Sequence, residues 1–87
     1  MQIQLGNVNA TPGALEALDR YTVINALARH ARGDWGMLGQ DDKDANDRAV
    51  AAGERILSAY LDPSGAKFWI ITEWDRSYTT VLLPDEY

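Results

Sequence analysis

The segment Arg29–Gly36, RHARGDWG, contains the residues of this chain that are best suited to chemistry. His30 is the single histidine, and Asp34 follows it four residues later. An imidazole oriented by a carboxylate is a common general base, so this pair, with Arg29 or Arg32, could serve a small nuclease-like enzyme or a toxin. That interpretation requires Asp34 to reach back to His30 and also requires a nucleophile.

The rest of the chain offers little to complete such a site. Ser58, Ser64 and Ser77 lack the sequence context of an exposed nucleophilic serine. The absence of cysteine excludes a thiolate nucleophile, a disulfide framework and a thiolate zinc site. The sequence also lacks a phosphate loop, a dinucleotide fingerprint and paired catalytic carboxylates. We therefore expect no enzymatic activity, no cofactor and no metal, with the His30/Asp34 enzyme as an alternative.

The same segment can instead be interpreted as the C-terminal end of a helix, without any chemical role. Val23, Leu27 and His30 follow helical spacing, which predicts a packed imidazole with one nitrogen meeting water or a carbonyl. Gly33 is a typical residue to end the helix, and the match to an adhesion tripeptide is then a coincidence. Trp35 follows in a glycine-rich loop, where it could anchor a partner or plug the core. We expect it to be buried, because a small domain needs its large side chains.

The densest charge cluster is DDKDAND, residues 41–47. It fails as a calcium loop, because Asp47 stands where that loop needs glycine and Gly53 where it needs glutamate. It is typical of a solvated, acidic helix start, and it could also bind a basic partner. The candidate partner-binding carboxylates are Asp41, Asp42, Asp44 and Asp47.

A second group of candidates flanks the predicted turn after the strongest strand. It combines aromatic and acidic side chains that could form one exposed surface, namely Glu73, Trp74, Asp75 and Tyr78. Arg76 lies between the acidic neighbours, where it could form a local ion pair or bind an anion.

The spacing of apolar residues predicts the helices and strands that position these candidate residues. Residues 2–10 alternate as a short strand does, and Thr11 with Pro12 is a typical helix start. A second helix is predicted with Thr22 as its cap and with Ile24, Leu27, Ala28 and Ala31 on its buried face. A third begins at Asp41 and ends at Gly53, with a packing side of Ala45, Ala49, Val50 and Ala52.

In the last third of the chain, successive side chains follow the two-residue period of β-strands. RILSAYL, KFWIITEW and YTTVLLP are separated by the turns DPSG and DRS, which predicts an antiparallel meander with the second strand central. Helices first and strands afterwards indicate an α+β fold. We expect one domain, 1–87, with about three short helices on one face of the three strands and a possible fourth, N-terminal edge strand.

Composition and charge limit the functional classes. The chain has 87 residues, of which 46% are hydrophobic and 24% charged, and a net charge of −5. Such a charge disfavours direct binding to nucleic acid, aids solubility and suits a partner with a basic surface. The N-terminus has no signal-peptide pattern, and no apolar run is long enough for a membrane helix. We expect a cytoplasmic protein that does not bind membranes.

The segments ATPGALEAL, LARHARGDWG, DDKDANDRA, RILSAY and WIITEWDRSYTTVLLPDEY cover nearly the whole chain. Through them the chain resembles a family of small bacterial proteins associated with plasmids and other mobile elements, some of them labelled as type I restriction subunit M-like. The resemblance implies dealings with host defence and transfers no catalytic residues. By analogy, small acidic anti-CRISPR inhibitors come from the same setting.

These observations lead to three hypotheses. The first is a non-enzymatic inhibitor that blocks the nucleic-acid-binding surface of a host defence complex, with a CRISPR–Cas effector subunit as the expected partner. The second is the small enzyme or toxin that uses His30 and Asp34. The third is a regulatory protein that dimerises through an exposed sheet edge, so the sequence allows a monomer or a homodimer.

Overall fold

The computed structural model describes residues 2–87, which form an α+β fold with three α-helices and one four-stranded mixed sheet. The predicted fold class is therefore confirmed. The elements follow in the order β1 (Asn7–Ala10), α1 (Pro12–Ala17), α2 (Arg20–Ala31), α3 (Gln40–Ala52), β2 (Ile56–Leu61), β3 (Lys67–Thr72), β4 (Tyr78–Leu82) and a 3-10 helix (Pro84–Glu86).

The strands lie in the order β1–β4–β3–β2. β2, β3 and β4 form the predicted antiparallel meander, with β3 in an interior position. β1 adds a parallel strand beside β4 at the sheet edge, which confirms the N-terminal strand, although pairing begins at Asn7. The turn after β2 closes through hydrogen bonds from Gly65 N to Asp62 O and from Asp62 N to Ala66 O.

One face of the sheet carries the main core. Alternate residues of β2, β3 and β4 point to this face and are buried beneath α1 and α2; we call it the helix-covered face. It is formed by Ile56, Ser58, Tyr60, Phe68, Ile70, Thr72, Thr79 and Val81. Three of these eight residues carry hydroxyl groups on a short side chain, so the sheet beneath the helices is partly polar.

α2 presents a different stripe to this face from the one that apolar residues alone predict. Ile24 is 54% exposed, whereas Ala26 and His30 are buried. The stripe of Val23, Ala26 or Leu27, and His30 faces the sheet because the hydroxyls beneath it need a polar partner. The prediction that Ile24 and Ala28 belong to the buried face is wrong.

The start of α2 also differs from the prediction. Asp19, not Thr22, is the N-cap, and its carboxylate accepts the Thr22 amide at 3.1 Å. The preceding helix is short: Thr11 caps it as predicted, but it ends at Ala17. α2 ends as predicted, since Gly33 takes the left-handed conformation with φ +84°.

α3 packs at the edge of β2 rather than over the sheet centre. Ala49 and Val50 contact a second cluster that includes Ile3, Trp35 and Ile56. The predicted packing side of small apolar residues is only partly right, because Asn46 is buried while Ala45 and Ala52 are exposed. α3 begins at Gln40, one residue before the predicted start, and ends at Gly53 as expected.

The outer edge of β2 is covered by polar groups of the chain itself. The Asn46 side chain donates to Leu57 O at 2.5 Å and accepts from Leu57 N at 3.3 Å. Two residues further along, Ala59 N donates to Trp35 O and Ala59 O accepts from Met37 N. These contacts use backbone groups that an edge strand would otherwise leave open to another chain.

Candidate functional site

The candidate general base, His30, lies at the centre of a buried chain of hydroxyl groups. Its side chain is inaccessible to solvent, with Nδ1 2.5 Å from Ser58 Oγ and Nε2 2.8 Å from Thr72 Oγ1. Thr72 Oγ1 lies 2.8 Å from Thr79 Oγ1, which donates to the Leu5 carbonyl at 2.7 Å. We call Ser58, His30, Thr72 and Thr79 the buried polar chain.

The direction of the hydrogen bonds along the buried polar chain fixes the tautomer of His30. Thr79 gives its proton to a carbonyl, so it must accept from the Thr72 hydroxyl. Thr72 therefore accepts from His30 Nε2–H, and the unprotonated Nδ1 accepts from the Ser58 hydroxyl. All donors and acceptors are matched with a neutral imidazole protonated at Nε2.

The environment of His30 favours that neutral form. Burial, and secondarily the charge of Arg76, lowers the pKa of the imidazole from 6.5 to about 4. His30 is therefore uncharged at neutral pH, with both nitrogens already bonded. The Ser58–His30 contact resembles half of a nucleophile–base pair, yet Ser58 is also fully buried, so neither group faces a cleft.

Asp34 is not brought to His30. Its carboxylate forms an ion pair with Arg29, with Nε 2.7 Å from Oδ2, and accepts the Gly36 amide at 3.2 Å. Arg29 thereby holds the pKa of the Asp34 carboxyl below its usual range. The backbone carbonyl of Asp34 accepts the Tyr60 hydroxyl at 2.7 Å, and burial raises the pKa of that phenol to about 12. The side chains of Arg29 and Tyr60 thus hold the loop that follows α2 in place through Asp34.

Trp35 is buried, as the sequence predicted, with 3% of its surface exposed. It packs edge-to-face against His30, with ring centroids 5.7 Å apart. Its indole nitrogen donates to Asp47 Oδ1 at 2.9 Å. One of the four candidate carboxylates on α3 therefore has a structural role in addition to any role at the surface.

The other three carboxylates form an exposed group at the first turns of α3. We call Asp41, Asp42 and Asp44 the acidic helix start. Asp44 accepts a hydrogen bond from Gln40 at 2.9 Å. Among residues 2–87 the one ion pair within 4.0 Å is that of Arg29 with Asp34, so none of the three carboxylates contacts a cation, although Lys43 lies on the same turns of the helix.

The second candidate group lies in the β3–β4 turn, and we call Glu73, Trp74, Asp75 and Tyr78 the aromatic turn. Trp74 is 66% and Tyr78 44% exposed. Asp75 accepts from the amide and hydroxyl of Ser77, which lowers the pKa of its carboxyl. The aromatic side chains are thus displayed by a turn that its own polar groups hold in place.

Arg76 anchors this turn to the rest of the protein. It takes the left-handed conformation with φ +59°, and its guanidinium donates to the carbonyls of Glu54 and Glu73. Of the two alternatives for Arg76, the local ion pair does not form: its guanidinium donates to backbone carbonyls, and these bonds offset the strain of its left-handed conformation.

The hydrogen bond from Arg76 to the Glu54 carbonyl shows where the aromatic turn lies relative to the acidic helix start. Glu54 follows the C-terminal end of α3, whereas the acidic helix start lies at the opposite end of a 13-residue helix. A helix of that length is about 20 Å long. The eight predicted residues thus form two separate surfaces joined by α3, with Asp47 between them.

Sequence reasoning missed the buried polar chain and the role of Asn46. A weak signal existed for the first, because Ser58, Thr72 and Thr79 interrupt otherwise apolar faces of predicted strands. In the part of the chain that the structure describes, every buried side-chain nitrogen and oxygen has a hydrogen-bond partner. Within the same residues, three or more His, Asp or Glu side chains do not converge as a metal site would require.

A comparison of the chain with protein-family models, with curated proteins and with solved structures found no match. No helix within residues 2–87 has both the length and the apolar composition needed to cross a membrane.

Proposed function

We propose that this protein is a non-enzymatic binding protein whose acidic helix start engages a basic surface of another protein. The observation that carries the proposal is the exposure of Asp41, Asp42 and Asp44 without a cation partner among the described residues. They lie together at one end of α3, so a partner meets several negative charges at once. Complementary charges of this kind accelerate encounter and fix orientation.

The state of His30 supports a binding role over catalysis. A general base must reach its substrate, whereas this imidazole is enclosed and its two nitrogens are bonded to Ser58 and Thr72. Asp34, its expected orienting carboxylate, is paired with Arg29. The nuclease-like alternative would need the core to open before any substrate could reach the base.

The resemblance to mobile-element proteins suggests which partner to test. We propose that the protein acts in the cytoplasm of the bacterial host and blocks a nucleic-acid-binding subunit of a defence complex, with a CRISPR–Cas effector as the first choice. Such a subunit offers the cationic groove that the acidic helix start complements. With a net charge of −5, the protein itself would avoid nucleic acid and would act by steric occlusion.

The aromatic turn supplies a second, separable contact. Trp and Tyr are frequent anchors in protein interfaces, because they bury large areas at low entropic cost. Trp74 and Tyr78 are both exposed on an anchored turn. Because α3 separates this turn from the acidic helix start, one partner would contact both only across an extended surface.

The test is a binding assay against purified, nucleic-acid-free defence effectors. A triple variant, Asp41→Asn, Asp42→Asn and Asp44→Asn, is compared with a charge-matched control, Glu16→Gln, Glu54→Gln and Asp85→Asn, whose carboxylates are exposed elsewhere. We expect the first to weaken binding at least roughly tenfold and the second much less. Equal losses would reduce the effect to net charge, and unchanged binding by the first variant would rule out the acidic helix start.

Trp74→Ala is assayed separately, because it tests the aromatic turn and not the charge hypothesis. Asp47 is left unchanged in the triple variant, since its removal would also disturb Trp35. Binding that weakens as salt is raised supports the electrostatic part of the proposal. Hydrolysis of DNA or RNA that disappears in His30→Ala would instead support the enzyme.

A further inference from the structure

The two edges of the sheet are unlike each other. The β2 edge is occupied by Asn46, Trp35 and Met37, whereas β1 is the terminal strand on the other side. Its sequence, Asn7-Val8-Asn9-Ala10, is uncharged and contains no proline. It therefore lacks charged side chains and proline, two of the features that keep an edge strand from pairing with another chain, although it has only four residues.

The backbone of β1 directs alternate groups outward. Asn7 N donates to Ser77 O and Thr11 N donates to Val81 O, so the odd-numbered residues bond to β4. In a parallel ladder the intervening residues, Val8 and Ala10, then turn their N–H and C=O groups away from the sheet. Two residues of β1 thus present donor and acceptor groups to a further strand.

An apolar groove of about 200 Å³ lies beside this edge, between α1 and α2. Ala10 and Val81 contribute to it from the sheet, and Leu15 and Ile24 line it from the two helices. Leu15 is 72% exposed and Ile24 54% exposed. Val8 pairs in register with Thr79 and is 48% exposed, so it points to the same face of the sheet as Ala10.

We infer that two copies of this chain associate through antiparallel pairing of their β1 strands, about a two-fold axis that passes beside Asn9. In this register Val8 of each copy lies opposite Ala10 of the other and exchanges two backbone hydrogen bonds with it. The two pairs give four hydrogen bonds, and the sheets join into one of eight strands. Each Val8 side chain lies beside the other copy's groove, which explains why that groove is open in a single chain.

The area available fits a weak dimer. Val8, Leu15, Tyr21 and Ile24 have exposed fractions of 48, 72, 75 and 54%, which corresponds to roughly 400 Å² of side-chain surface per copy. Tyr21 belongs to this group because it lies one helical turn before Ile24. A standard interface buries about 800 Å² per partner, so backbone and rim contacts must supply the remainder. We therefore expect a reversible, concentration-dependent dimer.

Charge sets the salt dependence of this association. Each copy carries a net charge of −5, so two copies repel each other at low ionic strength. β1 is uncharged, and Arg20 is the one charged residue that lines the groove. Salt screens the overall repulsion without weakening apolar contacts. Dimerisation should increase with salt, which is the opposite of the dependence expected for a basic partner.

The first test is sedimentation equilibrium of the full chain up to about 1 mM, where an association of about 4 kcal/mol is half complete. Val8→Lys should raise the dissociation constant at least roughly tenfold. Leu61→Lys is the matched control, because Leu61 is 50% exposed on the covered edge strand, and it should leave association unchanged. Circular dichroism confirms that both variants fold.

The second test determines the register by cross-linking, using the absence of native cysteine. In the dimer the two Asn9 residues face each other in a non-hydrogen-bonded pair, with Cα atoms about 4.5 Å apart, so Asn9→Cys should form an intermolecular disulfide on mild oxidation. Asn7→Cys is the control, since its two copies are about 13 Å apart along the strands.

Each outcome decides the proposal. A chain that stays monomeric throughout the concentration range overturns it, and so does a dimer that is equally stable in Val8→Lys and the native chain. A dimer that Val8→Lys disrupts, but in which Asn7→Cys cross-links faster than Asn9→Cys, overturns the register. Failure of these tests leaves the binding role of the acidic helix start unaffected, because that role does not depend on β1.

Discussion

His30 Nε2 lies 2.8 Å from Thr72 Oγ1, and this contact joins helix α2 to the central strand β3 inside the core. It makes the single histidine a structural residue in its neutral form. The pKa of the imidazole is lowered to about 4, so the folded protein resists the proton that the unfolded chain accepts at about 6.5. Folding is therefore coupled to pH through this residue.

The first prediction is that stability falls as the pH drops from 6.5 to 4. Because the unfolded state binds the proton first, the free energy of unfolding is highest above pH 6.5 and should be about 2 kcal/mol lower at pH 5 than at pH 7. Carboxylates with lowered pKa values, such as Asp34, become protonated mainly below pH 4, and the stability that they contribute is lost there. Urea denaturation at each pH measures the change.

The variant His30→Gln separates this contribution from the others. It has no group that titrates in the window, so its stability should be lower at pH 7 but nearly constant between pH 7 and pH 5. A decline as steep as that of the native chain would show that another group controls the dependence.

The second prediction concerns the hydroxyls of the buried polar chain. Thr79→Val keeps the shape of the side chain but removes the acceptor for Thr72 and the donor to Leu5 O. The buried Thr72 hydroxyl and the half-buried Leu5 carbonyl both lose their partner, so the free energy of unfolding should fall by about 1–3 kcal/mol. Thr80→Val, the next residue on the opposite face of β4, is the matched control and should change it by less than about 0.5 kcal/mol. Equal effects would contradict the assigned network.

The sequence predicted the strand order within the meander and the C-terminal ends of α2 and α3, because turn residues and periodicity determine these locally. For α2 it predicted two stripes, one through Ile24 and one through Val23, Leu27 and His30, and the second is the one that is buried. The two faces of α2 share Leu27. The face with His30 is buried because its imidazole bonds to the hydroxyls of Ser58 and Thr72, which come from strands distant in the sequence. Of the candidate site, exposure of the aspartates was predictable, whereas the link between Asp47 and Trp35 is a tertiary contact without a local pattern.

The third prediction distinguishes two aspartates of α3. Asp47→Ala removes the acceptor of the Trp35 indole and should lower the free energy of unfolding by about 1 kcal/mol. Asp44→Ala, whose carboxylate bonds only to the exposed Gln40, should have an effect below about 0.5 kcal/mol. Thermal or urea unfolding checks the difference, and a more damaging Asp44→Ala would contradict it.

The fourth prediction tests the covered edge of β2. Asn46→Ala leaves the N–H and C=O of Leu57 without their side-chain partners, which should cost about 2 kcal/mol and accelerate hydrogen exchange at the Leu57 amide. Asn25→Ala, at an exposed position of α2, provides the control. The newly open edge should also make the variant more prone to aggregation. Unchanged exchange at Leu57 would mean that Asn46 does not protect the edge.

The fifth prediction concerns the close approach of the loop at residues 35–37 to β2. Gly36 has φ +72°, and a Cβ there would overlap the Ala59 carbonyl oxygen and approach the Tyr60 ring. Gly36→Ala should therefore displace the loop, break its bonds to Ala59 and cost more than about 3 kcal/mol. Gly39→Ala, in the same loop with open space at its Cβ, should cost less than about 1 kcal/mol. Urea denaturation of the pair is the measurement, and similar midpoints would show that the loop tolerates a side chain at Gly36 by moving away from β2.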